Sequence, residues 1–101
     1  MPESLTRQQA WERLRDSDHH VLTGDEARAI GMGFGVQVRT YPIEDKQDMI
    51  DAAVLAEQIC KTEGIEYELV GGYRTQLQEC LRVLAETYNL DTGRSVGGVE
   101  L

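Results

Sequence analysis

The stretch from Lys46 to Glu63 most constrains the fold. Met49, Ile50, Ala53, Val54, Leu55, Ala56, Ile59 and Cys60 fall at spacings that line one broad helical face, wide enough to need burial along most of its length. Glu44 or Asp45 opens it, acidic residues fill its first turns, where the helix dipole favours them, and Gly64 stands where a left-handed residue closes a helix. The spacing therefore predicts a helix over 46–63, around which the rest of the chain must pack. A second amphipathic helix is predicted over 74–88, with Leu77, Cys80, Leu81, Leu84, Ala85 and Tyr88 on one face.

Two further helix starts carry the same signature. In Leu5-Thr6-Arg7-Gln8-Gln9-Ala10, Thr6 can cap the Gln9 amide while the Gln9 side chain reaches back, with Leu5 against Ala10. That predicts a helix over 6–16, broken by Asp16-Ser17-Asp18. In Leu22-Thr23-Gly24-Asp25-Glu26-Ala27 the pattern repeats, with Thr23 as cap and Glu26 closing the box. The end of this short helix is not marked, because Gly31, Gly33 and Gly35 alternate and each weakens a helix. Val36 to Thr40 alternates apolar and polar residues before Pro42, so 35–41 is read as extended. Ile65 to Val70 alternates at period two and ends at Gly71-Gly72, which reads as a half-buried strand. The expected class is α+β, predominantly helical, with about four helices and one or two short strands. One small domain is expected over 1–90, with 91–101 as a flexible tail.

The chain has 101 residues, 18 acidic against 10 Lys+Arg, and a formal charge of −8. That balance disfavours a stand-alone nucleic-acid binder, because phosphate contacts need clustered cations. Cys60 and Cys80 lack a C-x-x-C partner and a His at ligand spacing, so neither a disulfide framework nor a zinc module is expected; both read as core thiols. No apolar run approaches the length of a membrane span, and Met1 to Arg15 is polar and periodic. A soluble intracellular protein without membrane contact is expected.

Three constellations have chemical potential. Gly71-Gly72 followed by Arg74 would let backbone amides and a guanidinium meet a phosphate; the plainer reading is a turn with Arg74 in solvent. Asp16, Asp18, His19 and His20 offer metal-ligand types without a further ligand segment, so no metal is expected there. Glu44, Asp45, Asp48 and Asp51 would drift along one helix face, where paired carboxylates can share a proton; solvated, dipole-matched first turns are the plainer reading.

Read in order, residues 11–74 resemble one stretch of the family X DNA polymerases (the beta, lambda, mu and terminal transferase group). The landmarks are Glu12-Arg13-Leu14-Arg15, then Leu22-Thr23 with Ala29-Ile30-Gly31-Met32, then Tyr41-Pro42-Ile43-Glu44-Asp45, and Leu69-Val70-Gly71-Gly72-Tyr73-Arg74. The resemblance covers only the end of the fingers and the start of the palm of these DNA repair nucleotidyltransferases. It implies that Gly71, Gly72 and Arg74 bind nucleotide, with a nucleotide or DNA as partner and a nuclear location. The family's second arginine is Thr75 here. No Asp-x-Asp pair follows, although two-metal phosphoryl transfer needs one. The expectation is thus a non-catalytic remnant with no catalytic residue, metal or cofactor. The alternative is a small acidic helical interaction module or inhibitor, its negative face imitating nucleic acid toward a basic protein partner.

Overall fold

The computed structural model describes residues 5–18, 20–39, 41–43 and 46–92. Among them, four helices and a small antiparallel sheet make the fold α+β and mostly helical, the expected class. The order is α1 (Arg7–Asp16), β1 (Val21–Thr23), α2 (Gly24–Gly33), β2 (Tyr41–Ile43), β3 (Lys46–Asp51), α3 (Ala52–Glu63) and α4 (Tyr73–Tyr88).

The first two helix starts form where the sequence places them. Thr6 Oγ1 accepts from Gln9 N, and Thr6 N donates to Gln9 Oε1, both at 3.0 Å. Thr23 Oγ1 likewise accepts from Glu26 N at 3.2 Å. There the reciprocal half of the box is replaced by the Thr23 hydroxyl facing the Glu26 carboxylate at 3.5 Å. The Thr23 backbone belongs instead to β1, opposite Met49. Helix α2 runs through Gly31 to Gly33 because close packing needs both glycines. A Cβ on Gly31 would overlap the Val38 side chain, and one on Gly33 would come within 2.5 Å of the Ala10 Cβ.

The predicted helix over 46–63 is corrected at its front. Lys46–Asp51 is a strand, the centre of a sheet ordered β1-β3-β2, with both neighbours antiparallel. Leu22 pairs with Ile50, and Tyr41 with Met49. The helix starts only at Ala52, where Asp51 Oδ1 accepts from Ala53 N at 2.8 Å. Ladder bonds to the distant β1 and to the adjacent β2 outweigh a weak local helical preference. Helix α3 therefore has no acidic first turn. Its end is as expected, with Gly64 left-handed at φ 71°.

The extended segment expected over 35–41 is divided. Gly35 lies in a turn, and residues 36–39 are extended but outside the sheet. Val36 and Val38 are buried while Gln37 and Arg39 are exposed. The Gln58 side chain bonds both Arg39 N and Arg39 O, at 3.0 and 2.9 Å, in place of a neighbouring strand. Thr40 lies outside the described residues.

The strand expected over 65–70 is not formed. The segment is extended, but its backbone groups meet side chains of α4 rather than a second strand. Glu68 N donates to Glu79 Oε2 at 3.1 Å and Val70 N to Gln76 Oε1 at 3.0 Å, and Gln76 Nε2 donates to Glu68 O at 2.9 Å. The period-two pattern is still used, since Ile65 and Tyr67 pack against the core and Glu66 and Glu68 face solvent.

One hydrophobic cluster joins all four helices. Leu55, Ile59, Cys60, Leu77, Cys80 and Leu84 at the α3–α4 contact are almost fully buried. Trp11 of α1 inserts beside them, its indole N–H donating to Leu81 O at 2.9 Å. The start of the expected tail is tied down: Gln8 donates to Asp91 O at 2.7 Å and accepts from Asp91 N at 2.8 Å. Residues 93–101 lie outside the described part.

Candidate functional site

The Gly71-Gly72 bend delivers the 65–70 segment into α4. Gly72 is the N-cap residue, at φ 83°, and no side chain caps the helix. A Cβ on Gly71 would meet nothing within 4 Å, and one on Gly72 only the Thr75 Oγ1 at 3.8 Å. The bend is therefore open backbone at a helix N-terminus, where amides and dipole both favour an anion. Gly71, Gly72 and Arg74 are all exposed.

The structure supplies an anion of its own. Arg74 Nε donates to Asp18 Oδ1 at 3.2 Å and its Nη2 to Asp18 Oδ2 at 3.3 Å. This fork ties the start of α4 to the turn after α1, where Asp18 adopts a positive φ of 50°. Asp18, one of the metal-ligand types of the sequence, is thus engaged by a guanidinium. Asp16 instead accepts from Arg15 Nε at 2.9 Å, the His20 backbone N–H donates to Ser17 O, and His19 lies outside the described residues. No group of three or more His, Cys, Asp or Glu able to hold a metal occurs among the described residues.

The acidic series starting at Glu44 does not line a helix face. Glu44 and Asp45 fall outside the described residues, Asp48 belongs to β3, and Asp51 is spent as the cap of α3. The carboxylates that the fold does gather come from α3, α4 and the segment between them. Residues 5–39 hold five acidic and five basic residues, whereas 52–88 hold six acidic and three basic. Glu63, Glu66, Glu68 and Glu86 are exposed on this half. Arg82 is already engaged by Glu79 and Glu86, at 3.0 and 2.9 Å. The Arg82 guanidinium and the Glu68 amide hold the Glu79 carboxyl below its ordinary pKa. Burial, with Glu57 beside it, pushes the Tyr67 hydroxyl up to about 12.

Apolar side chains stand beside the acidic surface. Leu69 is 82% exposed and Tyr73 63%, so the chain entering α4 combines carboxylates with apolar groups at its edge. Two surface clefts lie elsewhere. One of about 510 Å³ is lined by Arg28, Met32 and residues 35–38, and one of about 430 Å³ includes Arg13, Leu22 and Glu26. Neither includes Gly71, Gly72 or Arg74.

No protein-family model, curated protein or solved structure matches the chain. Two features of the site were missed in the sequence: the Asp18 partner of Arg74 and the concentration of charge in the second half. Counting charge by segment would have found the second. Nothing local signals the first, since the two residues are 56 positions apart.

Proposed function

We propose that the protein is a small acidic helical interaction module whose α3–α4 side takes a basic protein segment. The observation that carries this reading is the uneven charge: residues 5–39 are balanced, while α3, α4 and the segment between them hold six acidic residues against three basic and also expose Leu69 and Tyr73. Charge of one sign on one side steers a cationic partner and sets register, while apolar neighbours add affinity that salt does not screen. Among the described residues no two consecutive helices are joined by the short turn of a helix-turn-helix pair, and net negative charge opposes a nucleic-acid ligand.

Titration with a fluorescent Lys/Arg-rich peptide at several ionic strengths tests it. Affinity is expected to fall as salt rises and to fall further in Glu66→Lys/Glu68→Lys, while Asp25→Lys/Glu26→Lys in the balanced half changes it little. Equal losses from both pairs would mean non-specific attraction and sink the reading.

The bend at Gly71-Gly72 supports a second reading, a nucleotide-phosphate site on a remnant similar to a family X polymerase. Its support is the uncapped start of α4 with Arg74 two residues on, and Asp18 is then a built-in competitor for the phosphate. Deoxynucleoside triphosphate with magnesium is expected to bind more tightly to Asp18→Asn than to the unaltered chain, and not at all to Arg74→Ala. Failure of Asp18→Asn to bind would remove nucleotide from the account.

A further inference from the structure

The cleft between α2 and the extended segment after it differs in chemistry from the acidic α3–α4 side. It measures about 510 Å³ and is lined by Arg28, Met32 and residues 35–38. That size falls within the range of roughly 300–1,000 Å³ usual for small-molecule sites. Arg28 and Met32 are exposed and stand one turn apart on α2. Residues 35–38 supply the other wall, and it is firmly held. Val36 N donates to Gly31 O at 2.9 Å, and the Gln58 side chain bonds Arg39 N and O. Val38 packs so closely on Gly31 that a Cβ there would overlap it. The cleft is therefore preformed, and a ligand enters it without ordering a loop.

The lining is apolar apart from one cation. Among the described residues that line it, Arg28 alone is charged, Gln37 adds a neutral amide, and the others are Met, Gly and Val. Met32 is 72% exposed, so an aliphatic chain meets a flexible thioether that adapts to it. Arg28 already answers a carboxylate. Its Nη2 donates to Asp25 Oδ1 at 3.0 Å, and the Asp25 side chain stands almost wholly in solvent. An ion pair that open contributes little, so an incoming carboxylate displaces Asp25 at small cost. Residues 5–39, which build this cleft, are balanced in charge, and an anion meets less repulsion here than on the α3–α4 side.

We propose that this cleft binds a free medium-chain aliphatic monocarboxylate, its chain against Met32, Val36 and Val38 and its carboxylate on Arg28. An alcohol of equal length fills the same apolar space without the charged contact, and an amine sets like charge against Arg28. The site shares no residue with the acidic α3–α4 surface, so the two proposals fail separately.

The test is titration of the isotope-labelled full chain with sodium octanoate, octanol and octylamine at neutral pH, followed by amide NMR shifts. Octanoate is expected to give saturable shifts at residues 28–38. Octanol is expected to bind there about tenfold more weakly, since it lacks the hydrogen bonds between two charged groups, and octylamine more weakly still. Hexanoate is expected to bind about fourfold more weakly than octanoate, as for two methylenes buried over half their area. Arg28→Gln is expected to bring octanoate down to the level of octanol and leave octanol unchanged, while Asp25→Asn tightens octanoate. Met32→Glu, at an exposed position, is expected to weaken octanoate more than octanol, which keeps the test decisive if Arg28→Gln misfolds. Absence of saturable shifts at residues 28–38, equal affinity for octanoate and octanol, or shifts centred on Ser17 and Leu22 of the second cleft would overturn the proposal.

Discussion

Replacing Gln76 by Leu tests how the segment between α3 and α4 is held. Gln76 is 5% exposed, and its amide does for residues 68–70 what a neighbouring strand would otherwise do. It accepts from Val70 N and donates to Glu68 O, at 3.0 and 2.9 Å. Leu fills nearly the same volume, so the packing loss is small and the hydrogen bonds dominate. Two such bonds contribute about 2 kcal/mol, and leaving the part-buried Val70 amide without a partner adds to that, for a total of about 2–4 kcal/mol. The assay is urea unfolding followed by tryptophan fluorescence, with amide hydrogen exchange at Glu68 and Val70. The expected outcome is a lower midpoint at unchanged slope and faster exchange at those two amides. A loss below about 0.5 kcal/mol with unchanged exchange would show that the segment is held by the packing of Ile65 and Tyr67 and by the Glu79 carboxylate at Glu68 N, without help from Gln76.

Three further outcomes are expected. Gly31→Ala, which in an open helix gains up to about 1 kcal/mol, is expected to cost about 1–3 kcal/mol, read by denaturant unfolding, because the new methyl would overlap Val38 and lie 2.9 Å from Val36 O. Thr6→Ala removes the cap of α1 and is expected to lower stability by about 1 kcal/mol, also read in urea. The Tyr67 pKa, raised to about 12, makes the folded state hold its proton more tightly than the unfolded chain. Its contribution is thus complete below about pH 10, the unfolded value, and is lost as pH rises toward 12; Tyr67→Phe is expected to flatten the fall in thermal midpoint over that window.

Some of this protein is legible from local pattern because the responsible interactions span only a few residues. The Thr6–Gln9 box, the Thr23 cap, the left-handed Gly64 and the buried face of α4 each join groups within one or two turns of each other. Sequence likewise places the Gly71-Gly72 bend before a helix. It could not show that Arg74 is met by Asp18, because that pairing depends on where α1 ends in space.

The strands divide along the same line. Residues 46–51 and 65–70 carry patterns that local reading assigns to helix and strand, but the tertiary structure makes the first a strand and leaves the second extended without a strand partner. A strand exists only where another backbone lies alongside it. Lys46–Asp51 has β1 and β2 on either side, whereas 65–70 has only helix side chains and borrows their amide and carboxylate. The same dependence on distant neighbours buries both cysteines in one core. What the residues alone determined is the helical caps, the amphipathic faces and the surplus of negative charge. Which segments pair, and which side chains meet across the core, was decided only when the chain closed on itself.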